Sequence, residues 1–426
     1  MLNVRFTYNQ IMRRFIENHW IVVFFFLWIA GCSEQNRIEI TPNQFDGSDT
    51  ERIQAAVDKA SGTTGKVVIP ANNANGAQIW ILDSAILLPS HMLVILDNCT
   101  IQLSDSCRDN MFRSNNVGIG ITDPDWVRDI RIIGIGDVVL KGADNPRATG
   151  DGNRILVSEN QPGRVSYGSD AGKEGCKQKG DWRNIMILMA YVDGFKLKHV
   201  QIKNAHAWAM SFERTMNAEI SDITFDCPAS QMVNGEEVFI RNRDGIDLRH
   251  GCKNFRIHDI SGTTEDDFIA LSTLGLSAEN TAGGTLNSTM VTSREWRGME
   301  DDTENIFITN IVCKSLTRAI AIRANDIAGI HHVYIHGVIF EGGFNTLLVG
   351  GRGYGNDSKP GKINNIHAMD LMGDGRSLIQ IDEAIADCSF INGLYRGDED
   401  QIVMYNIDEN KTRNIISQNL IQLNKE

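Results

Sequence analysis

Nowhere in its 426 residues does the chain have a Cys-x-x-Cys pair or a cluster of cysteines and histidines at zinc-ligand spacing. That argues against the usual zinc frameworks. Positive charge is also short: 41 lysines and arginines face 54 aspartates and glutamates, a net charge of −13 at pH 7. Nucleic acid demands a basic footprint, so it is not an expected partner. Proline is scarce, at eight residues, and no Pro- or Gly/Ser-rich linker divides the chain. A single domain is expected. The apolar run from Trp20 to Ala30 is too short for a comfortable membrane span. Neither the Leu/Asn consensus of a leucine-rich horseshoe nor the long antiparallel blades of a propeller can be found.

What is present begins with processing signals. Arg13 and Arg14 precede the apolar run, which ends in Ile29-Ala30-Gly31-Cys32. A basic start, a short apolar centre and small residues before the cut describe an export signal over residues 1–31, leaving one domain over 32–426. Small residues directly before a cysteine resemble the bacterial lipobox. That resemblance implies acylation of Cys32 and a protein held at the cell envelope, periplasmic or surface-facing, by lipid alone. An ordinary signal peptide with an incidental cysteine is the plainer alternative, but spacing and small residues both favour the lipoprotein. Export permits disulfides. Several of the later cysteines fall in apolar strand positions and read as small core residues, so only Cys107 with Cys176 is a pairing to test.

Past the signal, Ser48-Asp49-Thr50-Glu51 has the form of a capping box, and Ile53, Val57 and Ala60 share one face of the helix that follows. Such a helix suits the open end of a solenoid, which needs a cover. From Leu197 onwards one apolar pattern, h-x-x-h-x-h, recurs at Leu197, Ile220, Ile257, Ile308, Ile335, Ile366 and Ile391, with weaker copies from Leu96 and Ile132. A second short apolar strand follows 12 or 13 residues after nearly every start: Ala209, Ile269, Ile320, Leu347, Ile379 and Val403. Strands of about four residues cannot stand alone, whereas stacked turns pair them in parallel over a continuous aliphatic core. The fold class is therefore all-β, a right-handed parallel β-helix with an N-terminal capping helix. Insertions are expected near 105–125, 143–181, 226–241 and 273–303. Their aromatics, Trp126, Tyr167, Trp182 and Trp296, either stack on sugar rings or, more plainly, pack on their own coil.

Candidate chemistry gathers in Asn242–Ser272. Asp244 opens one short strand, and Asp266 and Asp267 open another 23 residues later. One turn of 23 residues stacks Asp244 on Asp267, and Arg318 follows in the same column. Asp247 with Arg249, and later Arg323, should point outward beside them, while Ala270 and Ala321 leave room for a ligand. His206 could join the rim. A lone aspartate here is most simply a turn residue. Four stacked carboxylates are harder to explain that way, because they repel unless they hold a proton, a cation or an arginine. His331, His332 and His336 are expected on the surface rather than as ligands.

The residues ITPNQFDGSDTERIQAAVDKA with GKVVIPA resemble the opening of pectate-lyase-superfamily β-helix proteins. NAHAWAMSF, NRDGID and EDDFIAL resemble the core of glycoside hydrolase family 28, the polygalacturonases and their relatives. This likeness implies an inverting hydrolase in which Asp244 and Asp267 activate water and Asp266 protonates the leaving oxygen. The family's G-H-G motif is absent, and Glu265 stands where a glycine precedes the acid pair. In strict coil register Thr317-Arg318-Ala319 takes the G-H-G place. Alternatively a degenerate coil lies within 273–303, and Arg318–Ala324 replaces the family's R-I-K motif, with Arg323 for the lysine.

The leading expectation is an exported hydrolase of a polysaccharide with acidic units, needing no cofactor, with Asp247, Arg249, His206, Arg318 and Arg323 binding substrate. A second reading is a uronate lyase or epimerase whose Asp244/Asp247/Asp267 cluster holds Ca2+. A third is a glycan-binding β-helix without catalysis.

Overall fold

The structure is a computed structural model that describes residues 39–107, 109–118, 121, 123–144, 164–166, 182–233, 235–273, 290–292, 297–325, 327–351, 359–398 and 401–423. Cys32, Tyr167, Cys176 and Trp296 lie outside them. The fold is a right-handed parallel β-helix. Ile40–Glu426 form one compact unit.

Helix α1, Asp49–Ser61, opens it. Ser48 accepts the Glu51 amide, Glu51 reaches back to the Ser48 amide, and Ile53, Val57 and Ala60 are buried. The sequence expectation for this cap holds in detail. Behind it the chain winds through two parallel sheets. One, of 14 strands, contains the long strands such as Thr303–Ser315 and Ile330–Gly342; the other has ten short strands. Five of the short ones matter for the site, in spatial order: β1 Met210–Glu213, β2 Ile246–Leu248, β3 Ile269–Thr273, β4 Arg318–Ala324 and β5 Asn345–Val349. Inside the coils Ile246, Ile269 and Ile320 stand in one register row and are buried, as the repeat predicts.

The h-x-x-h-x-h pattern has a backbone cause. In each long strand the second x adopts a left-handed conformation: His199, Asp222, Asp259, Asn310 and Gly337 all have positive φ, between 53° and 71°. That bend turns a corner and returns the next residue to the interior, so residues three apart both face inward. Asn and Asp tolerate the conformation better than other side chains. An earlier corner in the same coils is built similarly from Asn217, Asn254, Asn305, His332 and Asn365. Its asparagines bond along the axis: Asn254 Nδ2 donates to Asn217 Oδ1 at 3.0 Å, and Asn305 Nδ2 to Asn254 Oδ1 at 3.1 Å.

Two repeat starts need correction. Ile335 pairs with Ala368 rather than Ile366, and Ala368 with Phe390 rather than Ile391. Ile366 and Ala368 both face inward, so a slip of two residues leaves the apolar pattern intact. Phe390 and Ile391 are adjacent apolar residues, and only the corner decides which is buried. The expected insertion near 226–241 contains an antiparallel hairpin, Ser230–Val233 with Glu236–Arg241, which also pairs with Arg164–Ser166.

Candidate active site

The register along the short-strand sheet settles which residues meet. β2 pairs with β3 so that Ile246 faces Ile269, and β3 pairs directly with β4 so that Ile269 faces Ile320. No further coil intervenes there, and the strict-register alternative is the one realised: Thr317-Arg318-Ala319 lies beside Asp266-Asp267-Phe268. The Phe268 amide donates to Arg318 O at 2.9 Å, and the Gly245 amide to Asp267 O at 3.0 Å.

Asp244, Asp266 and Asp267 converge, with one carboxylate oxygen from each lying within 4.8 Å of the others. Their surroundings differ. Asp267 is buried, and both of its oxygens are engaged: Arg318 Nη1 donates to Oδ1 at 3.0 Å and Arg323 Nη2 to Oδ2 at 2.7 Å. Burial alone would raise its pKa, but the two guanidinium groups outweigh it and hold the carboxyl below the ordinary carboxylate range. Asp266 is only half-buried. Its Oδ1 accepts the Asp267 amide at 2.9 Å and the Thr317 hydroxyl at 3.0 Å. Desolvation and then the charge of Asp267 nevertheless push its pKa up. Asp244 is pushed well up, by burial first and by Asp266, Asp247 and Asp267 after it, and its Oδ1 takes no hydrogen bond from the described residues. The trio therefore shares protons as a unit, with the anion fixed at Asp267 and the proton held by its neighbours.

Asp247 lies one residue outward of the β2 core row, beside Ala270 in β3. Burial raises its pKa, against the pull of Arg249. The outward row of Asp247, Ala270 and Ala321 is buried rather than open, which corrects the expectation of a bare flat face. Nearby, Glu213 accepts the Val291 and Thr292 amides and the Thr292 hydroxyl, holding that segment against β1. Val291 packs with Val117, Trp182, Ile185, Leu188 and Ala190 in an apolar cluster outside the main core. Trp182 thus takes the plainer of its two roles. Trp126 remains exposed, edge-on to Tyr191 at 5.2 Å between centroids. His206 is buried, with Nε2 accepting the Ala143 amide at 2.8 Å; this is a loop-fixing bond rather than a place on the rim.

One participant was not singled out from sequence, and a second was placed there by register alone. Trp208 occupies the place of Asp244 one turn earlier, and the Arg249 guanidinium lies 4.9 Å over its ring. Thr317 links the acid pair, since its hydroxyl also lies 3.1 Å from Asp267 Oδ1. The coil spacing that located Arg318 places Thr317 beside it and would have located Trp208. A 770 Å³ groove on the long-strand sheet, lined by Arg131, Lys196, Glu219 and Arg256 among others, contains none of these acids.

Fold and site together define a parallel β-helix with a carboxylate cluster on its short-strand sheet. Residues 138–315 match the model of the glycosyl hydrolases family 28. The match takes in Asp244, Asp266 and Asp267 and stops two residues short of Thr317, where the family's G-H-G would fall. Among solved structures, the chain is similar to the A-module of the Azotobacter vinelandii mannuronan C-5 epimerase AlgE6 (TM-score 0.52, 12% identity, 90% of this chain and 95% of that one). It is similar too to the tailspike protein of E. coli bacteriophage HK620, a mutant in complex with hexasaccharide (TM-score 0.52, 10% identity, 92% of this chain and 65% of that one). A hyperthermoactive exopolygalacturonase from Thermotoga maritima aligns over 90% of this chain and 92% of its own, with a TM-score of 0.48 and 12% identity. At such identities the likeness to the epimerase module and the tailspike shows the fold alone. No curated protein sequence matches the chain.

Proposed function

We propose that the protein is an exported, lipid-anchored glycoside hydrolase that cleaves an acidic polysaccharide by acid–base catalysis. The observation that carries this reading is the opposed tuning of adjacent carboxyls: Asp267 held ionised by Arg318 and Arg323, Asp266 and Asp244 pushed toward the protonated form. Pairs of titratable groups driven apart in this way are how one site supplies an acid and a base together.

Asp266, the most accessible of the three, is the general acid and protonates the leaving oxygen. Asp267, the ionised member, takes the proton of the attacking water, and Asp244 holds that water beside it. Two acceptors on one water lie about 4.5 Å apart when each hydrogen bond is near 2.8 Å, which agrees with oxygens within 4.8 Å. Arg318 is partly exposed, so its remaining donors can bind a substrate carboxylate. Half-buried Trp208 offers an aromatic face one turn away; Arg249, expected to point outward to substrate, is instead buried behind it with its guanidinium on the ring. Arg318 and Arg323 bear on the calcium reading as well, because their two positive charges already neutralise Asp267 and oppose a divalent cation there. This supports hydrolysis over lyase or epimerase chemistry.

The experiment is a panel of polysaccharides assayed for new reducing ends, with and without chelator. Hydrolysis that persists in chelator and drops in Asp266→Asn by about 10²–10⁴-fold on a poor leaving group is expected. The drop should be smaller on an activated aryl glycoside. Unsaturated products absorbing in the ultraviolet would point to a lyase, and binding without turnover to a glycan-binding protein. Undiminished activity in Asp266→Asn would remove the assignment.

A further inference from the structure

On the long-strand sheet, two consecutive coils bring Glu304 beside His331 in register. His332 occupies the left-handed corner that Asn217, Asn254 and Asn305 fill in the three preceding coils, with φ of 55°. Successive residues of a strand ordinarily point to opposite faces. Here the corner folds the two imidazoles together, edge-to-face, with their Nδ1 atoms 2.8 Å apart. Glu304 Oε2 lies 3.7 Å from His331 Nδ1, and one ligand atom from each of Glu304, His331 and His332 lies within 4.8 Å of the others.

A second observation concerns the far side of His331. Its Nε2 faces Asp302 Oδ2 at 3.3 Å, while Asp302 Oδ1 is itself fixed by the Gly329 amide. A proton on Nε2 satisfies this bond and leaves the Nδ1 lone pair directed at His332 and Glu304. An imidazole that donates from one nitrogen to a carboxylate and offers the other is the usual arrangement of a metal-ligating histidine. Lys253 donates to Glu304 Oε1 at 2.7 Å, which leaves Oε2 as the ligand atom.

We propose that Glu304 Oε2, His331 Nδ1 and His332 Nδ1 form a site for a divalent transition ion such as Zn2+, separate from the carboxylate cluster. Two imidazoles and a carboxylate suit borderline ions, and three protein ligands leave a fourth position for water. Because the ligands come from two turns of the solenoid, no local spacing in the sequence marks the site.

The test uses untagged protein and Zn2+ itself, by calorimetry and by competition with a chromophoric chelator. Wild type should bind one equivalent at this site. His332→Asn restores the corner residue of the neighbouring coils, so it should fold normally while losing at least about tenfold in affinity. Glu304→Gln should weaken binding similarly, and His336→Asn should leave it unchanged. Zn2+ failing to bind wild type, or binding His332→Asn as tightly as wild type, would overturn the proposal.

Discussion

At the scale of the residue, the site is controlled by how burial and neighbouring charge are balanced at each carboxyl. Glu265 gives an independent test, because it is buried beside the acid pair and burial outweighs the pull of Arg241 and of the Arg243 amide. Burial, and then the charge of Asp266, raises its pKa from 4.5 to about 7. The folded state therefore holds this proton more tightly than the unfolded chain does. The associated stability is fully present below pH 4.5 and is lost as pH rises through about 7. A shift of this size amounts to about 3 kcal/mol. Glu265→Gln should make the fall in urea midpoint between pH 5 and 8 less steep than in wild type. Asp244, Asp247 and Asp266 have raised values too, so the slope should shrink rather than vanish. Identical slopes in variant and wild type would show that Glu265 is not buried beside the pair. The acids themselves were legible in the sequence, because Asp244 and Asp267 differ by one turn. Their separate protonation tendencies were not, since these depend on Arg323 reaching back across a strand pairing to Asp267.

At the scale of the element, the unit is a coil whose corners are left-handed residues. Asn254 has φ of 58° and joins Asn217 to Asn305 along the axis. Asn254→Ala removes both bonds and leaves at the left-handed angle a side chain that tolerates it less well than asparagine. It should cost about 1–3 kcal/mol in urea denaturation, and Asn254→Gly should cost less because glycine accepts the angle. Equal losses in the two variants would assign the cost to the bonds alone. Core rows were legible where the coil spacing fixes the register, as at Ile269 and Ile320. They were not where Ile366 and Ala368 are both apolar, because period-two alternation cannot distinguish a slip of two residues. The burial of Asp247, Ala270 and Ala321 was likewise hidden: alternation tells which way a side chain faces, not what lies over it.

At the scale of the whole molecule, the anchor and the chemistry are tested separately. If Cys32 is acylated, wild type should partition into detergent and Cys32→Ala should be released or stalled, since two or more chains make a stable anchor. A wild-type protein cut elsewhere and wholly soluble would contradict this. The central claim is that Asp266 delivers a proton while Asp244 and Asp267 direct water to the opposite face of the sugar. The closest oxygens of the trio, within 4.8 Å, lie nearer than the about 6.5–9.5 Å that separates the carboxyls of most inverting enzymes. Stereochemistry therefore tests the account more directly than rate does. Proton NMR of the freshly released reducing end, recorded before mutarotation, should show the anomer opposite to that of the cleaved bond. Retention of configuration would make one of these carboxylates a nucleophile and contradict the account.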